Sequence, residues 1–323
     1  MGDILLTTPL LRAIRRRYPD AWMTFVTKAE FVPLLDTNPR VNEVIGHRSS
    51  TPLTGLAKRI RAGEYTHFLD LHRSLRSRAL AALTGRTWRG YPKNRLARAI
   101  LIRFKRDRYR DRRHVALRYF DAAGDLDVTA DEAGLEFFVK REALDGAKRF
   151  LSDQRLDPSS GLVAVVPGAA HATKRWPVRH WQDLVSKLTS YGMQVIVVGG
   201  PAEQTLCEEV AAGGGDQAAS AGGRFDVAGS AALLKLSRCV VAGDTGPMHL
   251  ATAVGTPVVA LYGPTVKAFG FFPYRARATV LERELSCRPC SPMGGPACPL
   301  QHHHCLTEIT PDVVFEAIRH LPR

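Results

Sequence analysis

Asp244, Thr245 and His249 lie close together in the chain, interleaved with Gly243, Gly246 and Pro247. The apolar run 239–242 in front of them reads as a strand. Pro247, Leu250, Ala251 and Val254 behind them open a helical pattern. Residues 256–263, Thr-Pro-Val-Val-Ala-Leu-Tyr-Gly, read as the next buried strand. A tight polar turn from a strand end into a helix start presents free backbone N–H groups and the positive end of the helix dipole, which suits a phosphate. Glycine alone would be weak support. Asp244, Thr245 and His249 strengthen it, because the turn itself has little structural use for them. For His249 the structural alternative is a buried core histidine.

A second turn has the same layout. Pro167-Gly168-Ala169 follows an apolar strand expected over 162–166, and Thr173-Lys174 precedes a helix expected over 179–191. Alone, Lys174 is an exposed loop lysine. Set opposite the turn at 243–246, its ammonium would neutralise a diphosphate. A departing diphosphate gains charge at the transition state, so a fixed cation there does more than bind. Thr173 and Thr245 are candidate hydroxyl donors to phosphate oxygens. Glu203 follows a third strand, 194–198, and Gly200-Pro201. A carboxylate at such a strand end suits ribose hydroxyls, with a plain helix N-terminal acid as the equal alternative. Asp3 stands before Thr7, Thr8 and Pro9, where its local reading is a helix cap.

Cys287, Cys290, Cys298 and Cys305, with His302, His303 and His304 among them, resemble zinc-ligand spacing. The wide gap between Cys298 and Cys305 weakens that match. A structural zinc, free thiols and a disulfide all stay open. Cys207 and Cys239 read as small buried residues.

These residues need elements to hold them. In the first half, helices are expected over 8–18, 31–35, 54–61 and 76–83, and strands over 22–27, 44–45 and 68–71. Strands alternating with helices imply an α/β protein with parallel sheets. A helix over 141–154 is followed by the linker Asp157-Pro158-Ser159-Ser160-Gly161. A second series then runs through strands 162–166, 194–198 and 238–242 and helices 179–191 and 202–212. Residues 213–223 read as a loose surface loop. The expected domains are therefore 1–157 and 158–323, both Rossmann-like, with the last helix free to pack back on the first.

The 323 residues carry a net charge of +14, and 45% are hydrophobic. No run approaches the ~18 apolar residues of a membrane span, and no signal-peptide pattern opens the chain; a cytoplasmic protein is expected. The charge is uneven: +13 in residues 1–150 and +1 in the rest. Residues 86–118 alone hold 13 basic side chains against Asp107 and Asp111. Such a run is ordinarily a solvated helix face. Its density and confinement point instead to an anionic partner. Leu96, Ile100, Leu101 and Phe104 interleave with Arg95, Arg98, Arg103 and Lys105, as in a basic amphipathic helix at a membrane surface. Arg73, Arg76, Arg95, Arg98, Arg103 and Arg106 are the candidate acceptor- or membrane-binding residues. A nucleic-acid-binding protein is the rival from another class, motivated by a pI of about 9.9. Aromatic stacking platforms and recognised modules are missing from the basic run. A Rossmann dehydrogenase would need G-x-G-x-x-G after a first strand, and none is present.

The motifs also resemble a known family. Asp244-Thr245-Gly246-Pro247-Met248-His249-Leu250-Ala251 with 255–265, Gly-Thr-Pro-Val-Val-Ala-Leu-Tyr-Gly-Pro-Thr, is similar to the nucleotide-sugar loop of glycosyltransferase family 9, the bacterial lipopolysaccharide heptosyltransferases. Residues 1–9, the turn 167–177 and the ending 298–311 resemble the family's other segments, in the same order. The resemblance implies a GT-B fold, two Rossmann-like domains facing across a cleft, with the acceptor on the first and the nucleotide sugar on the second. It implies an inverting heptosyltransferase of the second type, using ADP-L-glycero-D-manno-heptose on the phosphorylated lipid A–core acceptor at the cytoplasmic face of the inner membrane. A family relative using another nucleotide sugar is the near alternative. Asp3 becomes the general base and Lys174 the diphosphate cation. Gly168, Thr173, Glu203, Asp244, Thr245, Gly246 and His249 become donor contacts. No cofactor is implied, and no Asp-x-Asp of the kind that holds a divalent ion on a sugar nucleotide is seen. The family carries an apolar strand before the Gly-Asp of the first segment, whereas this chain starts at Met1. The expectation is that Met1 is an internal methionine and that the first strand is absent from this chain, since Asp3 would otherwise sit on an untethered terminus.

Overall fold

A computed structural model describes residues 1–321. In chain order the elements are α1 (Gly2–Leu5), α2 (Thr8–Arg17), β1 (Thr24–Lys28), β2 (Glu43–His47), α3 (Leu53–Ala62), β3 (Leu69–Asp70), α4 (Leu75–Thr84), β4 (Arg89–Gly90), α5 (Arg95–Phe104), α6 (Val115–Arg118) and α7 (Arg141–Asp153). They continue with β5 (Val163–Val166), α8 (Val178–Ser190), β6 (Val195–Val197), α9 (Gln204–Ala211), β7 (Ala218–Ser220), α10 (Val227–Leu236) and β8 (Cys239–Gly243). The last are α11 (Gly246–Ala253), β9 (Val258–Tyr262), β10 (Ala278–Glu282), α12 (His304–Thr307) and α13 (Pro311–Arg319).

The chain forms two compact units. The larger comprises Met1–Leu5, Asn94–Arg112 and the chain from Gly134 onward. Its six strands are all parallel, in the order β10-β9-β8-β5-β6-β7. Val163-Ala-Val-Val, Val195-Ile-Val, Cys239-Val-Val-Ala-Gly and Val258-Val-Ala-Leu-Tyr are β-rich apolar runs, and every residue in them is buried. That is the composition of a sheet covered on both faces. Trp176 and Trp181 meet edge to face at 4.9 Å in the core beneath it. The sheet winds outward both ways from the β5–β8 pair, so the C-terminal ends of these strands form the crevice where open α/β sheets hold ligands.

The loop expected over 213–223 is instead partly ordered. Ala218–Ser220 pairs with β6 as an edge strand. Three small residues carry no pattern by which a sequence could announce a strand. The packing also divides the chain elsewhere than at 157/158. Helix α7 lies on α10, with Phe150 against Phe225 at 5.2 Å, and α13 packs on α8 and β9 of this same unit.

The smaller unit comprises Leu6–Lys93 and Arg113–Ala133. It contains two parallel pairs, β1–β2 and β3–β4. Leu10, Leu11, Ala13 and Ile14 bury one face of α2, and Ile45, Leu56, Ala57, Ile60 and Leu80 form a core beneath α3 and α4. Polar ties matter more here. Arg12 grips Asp131 with two N–H groups, at 2.8 and 2.7 Å. That hydrogen-bonded guanidinium holds the Asp131 carboxyl below its usual range, against the opposing pull of burial.

Candidate active site at the strand ends

Three of the expected donor-side turns sit at the same edge of the six-stranded sheet, because their strands are parallel neighbours. The Lys174 ammonium donates to the Asp244 carbonyl at 2.9 Å and to its carboxylate Oδ2 at 2.6 Å. The two side chains are 14% and 8% exposed, so the pair is shielded from bulk screening. Thr265 Oγ1 donates to the same Oδ2 at 2.6 Å. Thus Asp244 is the hub that orients Lys174. An ammonium has three N–H donors, and the two bonds to Asp244 leave one for a ligand. With the carboxylate so close, an incoming anion also depends on the N-terminus of α11, capped by Thr245 in extended conformation.

Glu203 stands at the end of β6. Its Oε2 accepts the Gly200 N–H at 2.9 Å. A Cβ on residue 168 would fall 1.8 Å from Glu203 Oε1. Glycine at 168 is therefore what lets the carboxylate reach the turn after β5. Gly168 and Glu203 form one patch, and the Gly200 contact is that of a helix N-terminal capping box, the alternative reading of Glu203.

Thr173 is placed differently. Its hydroxyl donates to the Gly295 carbonyl at 3.2 Å and accepts the Gly295 N–H at 2.8 Å. His303 Nε2 lies 3.0 Å from the Thr173 carbonyl. Thr173 thus fastens the cysteine-rich segment to the lysine turn and does not offer its hydroxyl to phosphate. His249 is 4% exposed, in the first turn of α11. A Cβ on Gly2 would come within 2.7 Å of its ring. The histidine is a packing partner of α1, the structural alternative of the two.

That contact has a consequence for Asp3. Helix α1 packs on α11 within the larger unit, and Met1 lies against Gly246. Asp3 itself is exposed in the first turn of α1. The expected base therefore belongs to the same unit as the donor turn.

The arginine set is divided. Arg73 and Arg76 belong to the smaller unit, and Arg95, Arg98, Arg103 and Arg106 to the larger. Arg76 is occupied by His47 Nε2 at 2.5 Å and by the Ser49 and Thr51 carbonyls. Arg98 lies over the Phe269 ring at 5.2 Å, a stacking role. Arg103 and Arg106 are exposed. Helix α5 seats Leu101 against Tyr109 and Phe269, and Lys105 after it donates to the Cys287 and Pro289 carbonyls at 2.9 and 2.6 Å.

The six cysteines are free thiols. Cys290 Sγ donates to the Cys287 carbonyl at 3.1 Å. Burial pushes the Cys305 thiol up to about 11, with smaller upward pushes from Cys290, Cys298 and Cys287. At Cys298 burial pushes up, but N–H groups of His303, Leu300, His302 and Gln301 outweigh it and lower the thiol. Among the described residues no three His, Cys, Asp or Glu side chains are arranged to hold a metal ion. The chain does contain one Asp-x-Asp, Asp125-Leu126-Asp127. It lies in the smaller unit, with Asp125 on Arg89 at 3.2 Å and Asp127 facing Arg17 at 3.9 Å. It is a salt-bridging turn.

Thr265, Gly295 and Met1 were not singled out in the sequence. Thr265 alone carried a signal, because it follows a strand end by the same logic as Asp244.

A lysine–carboxylate pair and a helix start at the ends of parallel strands make a site suited to a phosphate-bearing ligand. The family model of glycosyltransferase family 9 (heptosyltransferase) matches residues 53–300, and the chain belongs to that family. Lipopolysaccharide heptosyltransferase 2 of Salmonella typhimurium is 28% identical, over 99% of this chain and 95% of its own length. The glycosyl transferase family 9 structure from Veillonella parvula superposes with a TM-score of 0.83 at 25% identity, covering 99% of this chain and 94% of that one. The ADP-heptose lps heptosyltransferase II of E. coli gives 0.77 at 23% identity, with 99% and 95% covered.

Proposed function

We propose that this enzyme transfers heptose from ADP-L-glycero-D-manno-heptose to the phosphorylated inner core of lipopolysaccharide, with inversion. The observation that carries the donor half is the Lys174–Asp244–Thr265 cluster beside the start of α11. One ammonium N–H and the first-turn backbone N–H groups would receive the diphosphate, and the Thr245 hydroxyl would join them by turning from the Gly243 carbonyl, to which it donates at 3.3 Å. Glu203 beside Gly168 would take the ribose hydroxyls. Asp3 would accept the proton of the attacking hydroxyl as the new glycosidic bond forms and the anomeric bond to ADP breaks. The ammonium and helix dipole supply the positive charge that the leaving ADP requires, so the reading needs no catalytic metal.

The same reading places the enzyme on the cytoplasmic face of the inner membrane. Among the described residues no helix is long and apolar enough to cross a membrane. On α5, Leu96 is 75% and Phe104 63% exposed. Arg106, Arg108 and Arg110 beyond it are exposed, and no carboxylate pairs with them among the described residues. Apolar tips flanked by unpaired guanidiniums suit an anionic leaflet.

Purified enzyme is expected to release ADP and add one heptose mass to a core acceptor. Absence of ADP release with ADP-heptose, or equal use of another nucleotide sugar, overturns the donor assignment. For the membrane, replacing Arg103, Arg106 and Arg110 by Gln should cost on the order of 2–3 kcal/mol of binding to anionic vesicles. Equal cosedimentation of variant and wild type at low salt would leave the segment as solvated surface.

A further inference from the structure

The turn after β9, Gly263-Pro264-Thr265, carries the hydroxyl that holds Asp244. The chain beyond β10 grips this turn. Arg288 is buried, with its side chain 5% exposed. Its Nε donates to the Gly263 carbonyl at 2.5 Å, and its Nη2 to the Thr265 carbonyl at 2.7 Å. The same Nη2 reaches Glu282 Oε2, on the last residue of β10, at 2.7 Å, and Nη1 donates to the Arg283 carbonyl. Four of the five N–H donors of a guanidinium are thus in use. The Cys290 N–H takes the remaining carbonyl, that of Pro264, at 3.1 Å. All three carbonyls of the turn are bound from one short segment.

That segment is itself anchored. The Lys105 ammonium donates to the carbonyls on either side of Arg288, those of Cys287 and Pro289. A guanidinium is costly to bury unless it is paired and its donors are used. Glu282 supplies the charge and the turn supplies the acceptors. The planar fork sets the Gly263 and Thr265 carbonyls at a fixed spacing, which a flexible ammonium does not.

The consequence falls on Lys174. Thr265 donates to Asp244 Oδ2 at 2.6 Å, and the same oxygen accepts from Lys174 at 2.6 Å. With the hydroxyl in place, the carboxylate is shared between two donors and its plane is fixed. Without it, the carboxylate turns and takes more of the ammonium, and the third N–H of Lys174 loses its aim. The turn also abuts the lysine turn: a Cβ on residue 263 would fall 3.3 Å from the Thr173 carbonyl. We propose that Arg288 is a positioning residue of the donor site, which keeps the Thr265 hydroxyl on Asp244 and so keeps Lys174 directed at the diphosphate, a role that rests on the donor reading of that lysine above.

ADP calorimetry and turnover of the full chain test this in a double-mutant cycle with Thr265→Val, which removes the hydroxyl and keeps the branched shape. Thr265→Val and Arg288→Lys should each weaken ADP binding about fivefold and lower kcat about tenfold, because the contact strengthens as the leaving group gains charge. Together they should do no more than the worse of the two, since both act through one hydrogen bond. An arginine that merely stabilised the fold would not show this coupling. Should Arg288→Lys fail to fold, Glu282→Gln carries the test, at a side chain 33% exposed. It loosens the guanidinium, and should weaken ADP binding about threefold in the wild type and not at all beside Thr265→Val. Losses that multiply, or wild-type ADP affinity and kcat in Arg288→Lys, overturn the positioning role. Coupled ADP binding without any heptose transfer would sink the transferase reading and leave Arg288 in its place. Heptose transfer with losses that multiply would do the reverse.

Discussion

The two units each contain a largely buried ion pair, and the two pairs lie in different surroundings. Lys174–Asp244 lies on a six-stranded sheet whose central strands are wholly buried. Arg12–Asp131 lies in a unit whose strands come as two pairs, with β1 only half-buried along its length. In the larger unit the apolar sheet supplies the stability. Its charged pair leaves one ammonium N–H over, which the proposed function assigns to the ligand. In the smaller unit the pair ties α2 to a distant segment, and both guanidinium edges facing Asp131 are used. Burial of an ion pair alone therefore does not mark a site. On the proposed function, what marks it is an unspent donor in the turn after a parallel strand.

The largest test of this contrast is Asp3→Asn. Losing the proton acceptor should lower kcat by roughly a hundredfold or more, with ADP affinity nearly kept. Wild-type turnover by this variant would remove Asp3 from the mechanism and leave α1 as mere packing for His249. Next is Lys174→Ala. Loss of the cation should slow turnover by about a hundredfold and weaken ADP binding as well. Turnover should not respond to EDTA; a loss restored by magnesium would contradict the proposed role of lysine and helix dipole. If Lys174→Ala lowered only thermal stability, the pair would be structural after all, like its counterpart in the smaller unit.

Asp131→Asn should act on stability alone, by about 1 kcal/mol for a partly solvated pair. The carboxyl is lowered in the folded state. Its contribution is then fully present above the unfolded value of about 3.9 and lost as pH falls through the lower folded value. Denaturation curves of wild type and variant should differ at pH 7 and converge below about pH 4. A gap that persists in acid would mean that the asparagine disturbs packing. The smallest effect is chemical. Cys298 is lowered, whereas burial pushes Cys305 to about 11 and Cys207 and Cys239 to about 12. Iodoacetamide at neutral pH should therefore label Cys298 first, as mass mapping would show. Earlier labelling of Cys305 would mean that the cysteine-rich segment opens away from the Thr173 turn.

Much of the larger unit was legible beforehand because its signals are local. The β-branched runs at 163–166, 195–197, 239–243 and 258–262 announce a covered parallel sheet by composition alone. The turns after them advertise themselves through Gly168, Asp244 and Gly246, and Glu203 follows the same grammar. Strand β7 was not legible, since Ala218–Ser220 gains its conformation from pairing with β6. The basic excess was legible as charge, but its division between two units was not.

The sequence by itself determined the α/β class, the family and the identity of the strand-end residues, because periodicity and turn chemistry act over a few neighbours. Tertiary structure alone decided their employment. It joined Lys174 to Asp244 across 70 positions, spent the Thr173 hydroxyl on Gly295, buried His249 beneath α1 and set Arg288 on the Thr265 carbonyl. Hydrogen bonds are saturable and directional, so a side chain's remaining capacity is fixed by partners distant in the chain, and no local pattern encodes them.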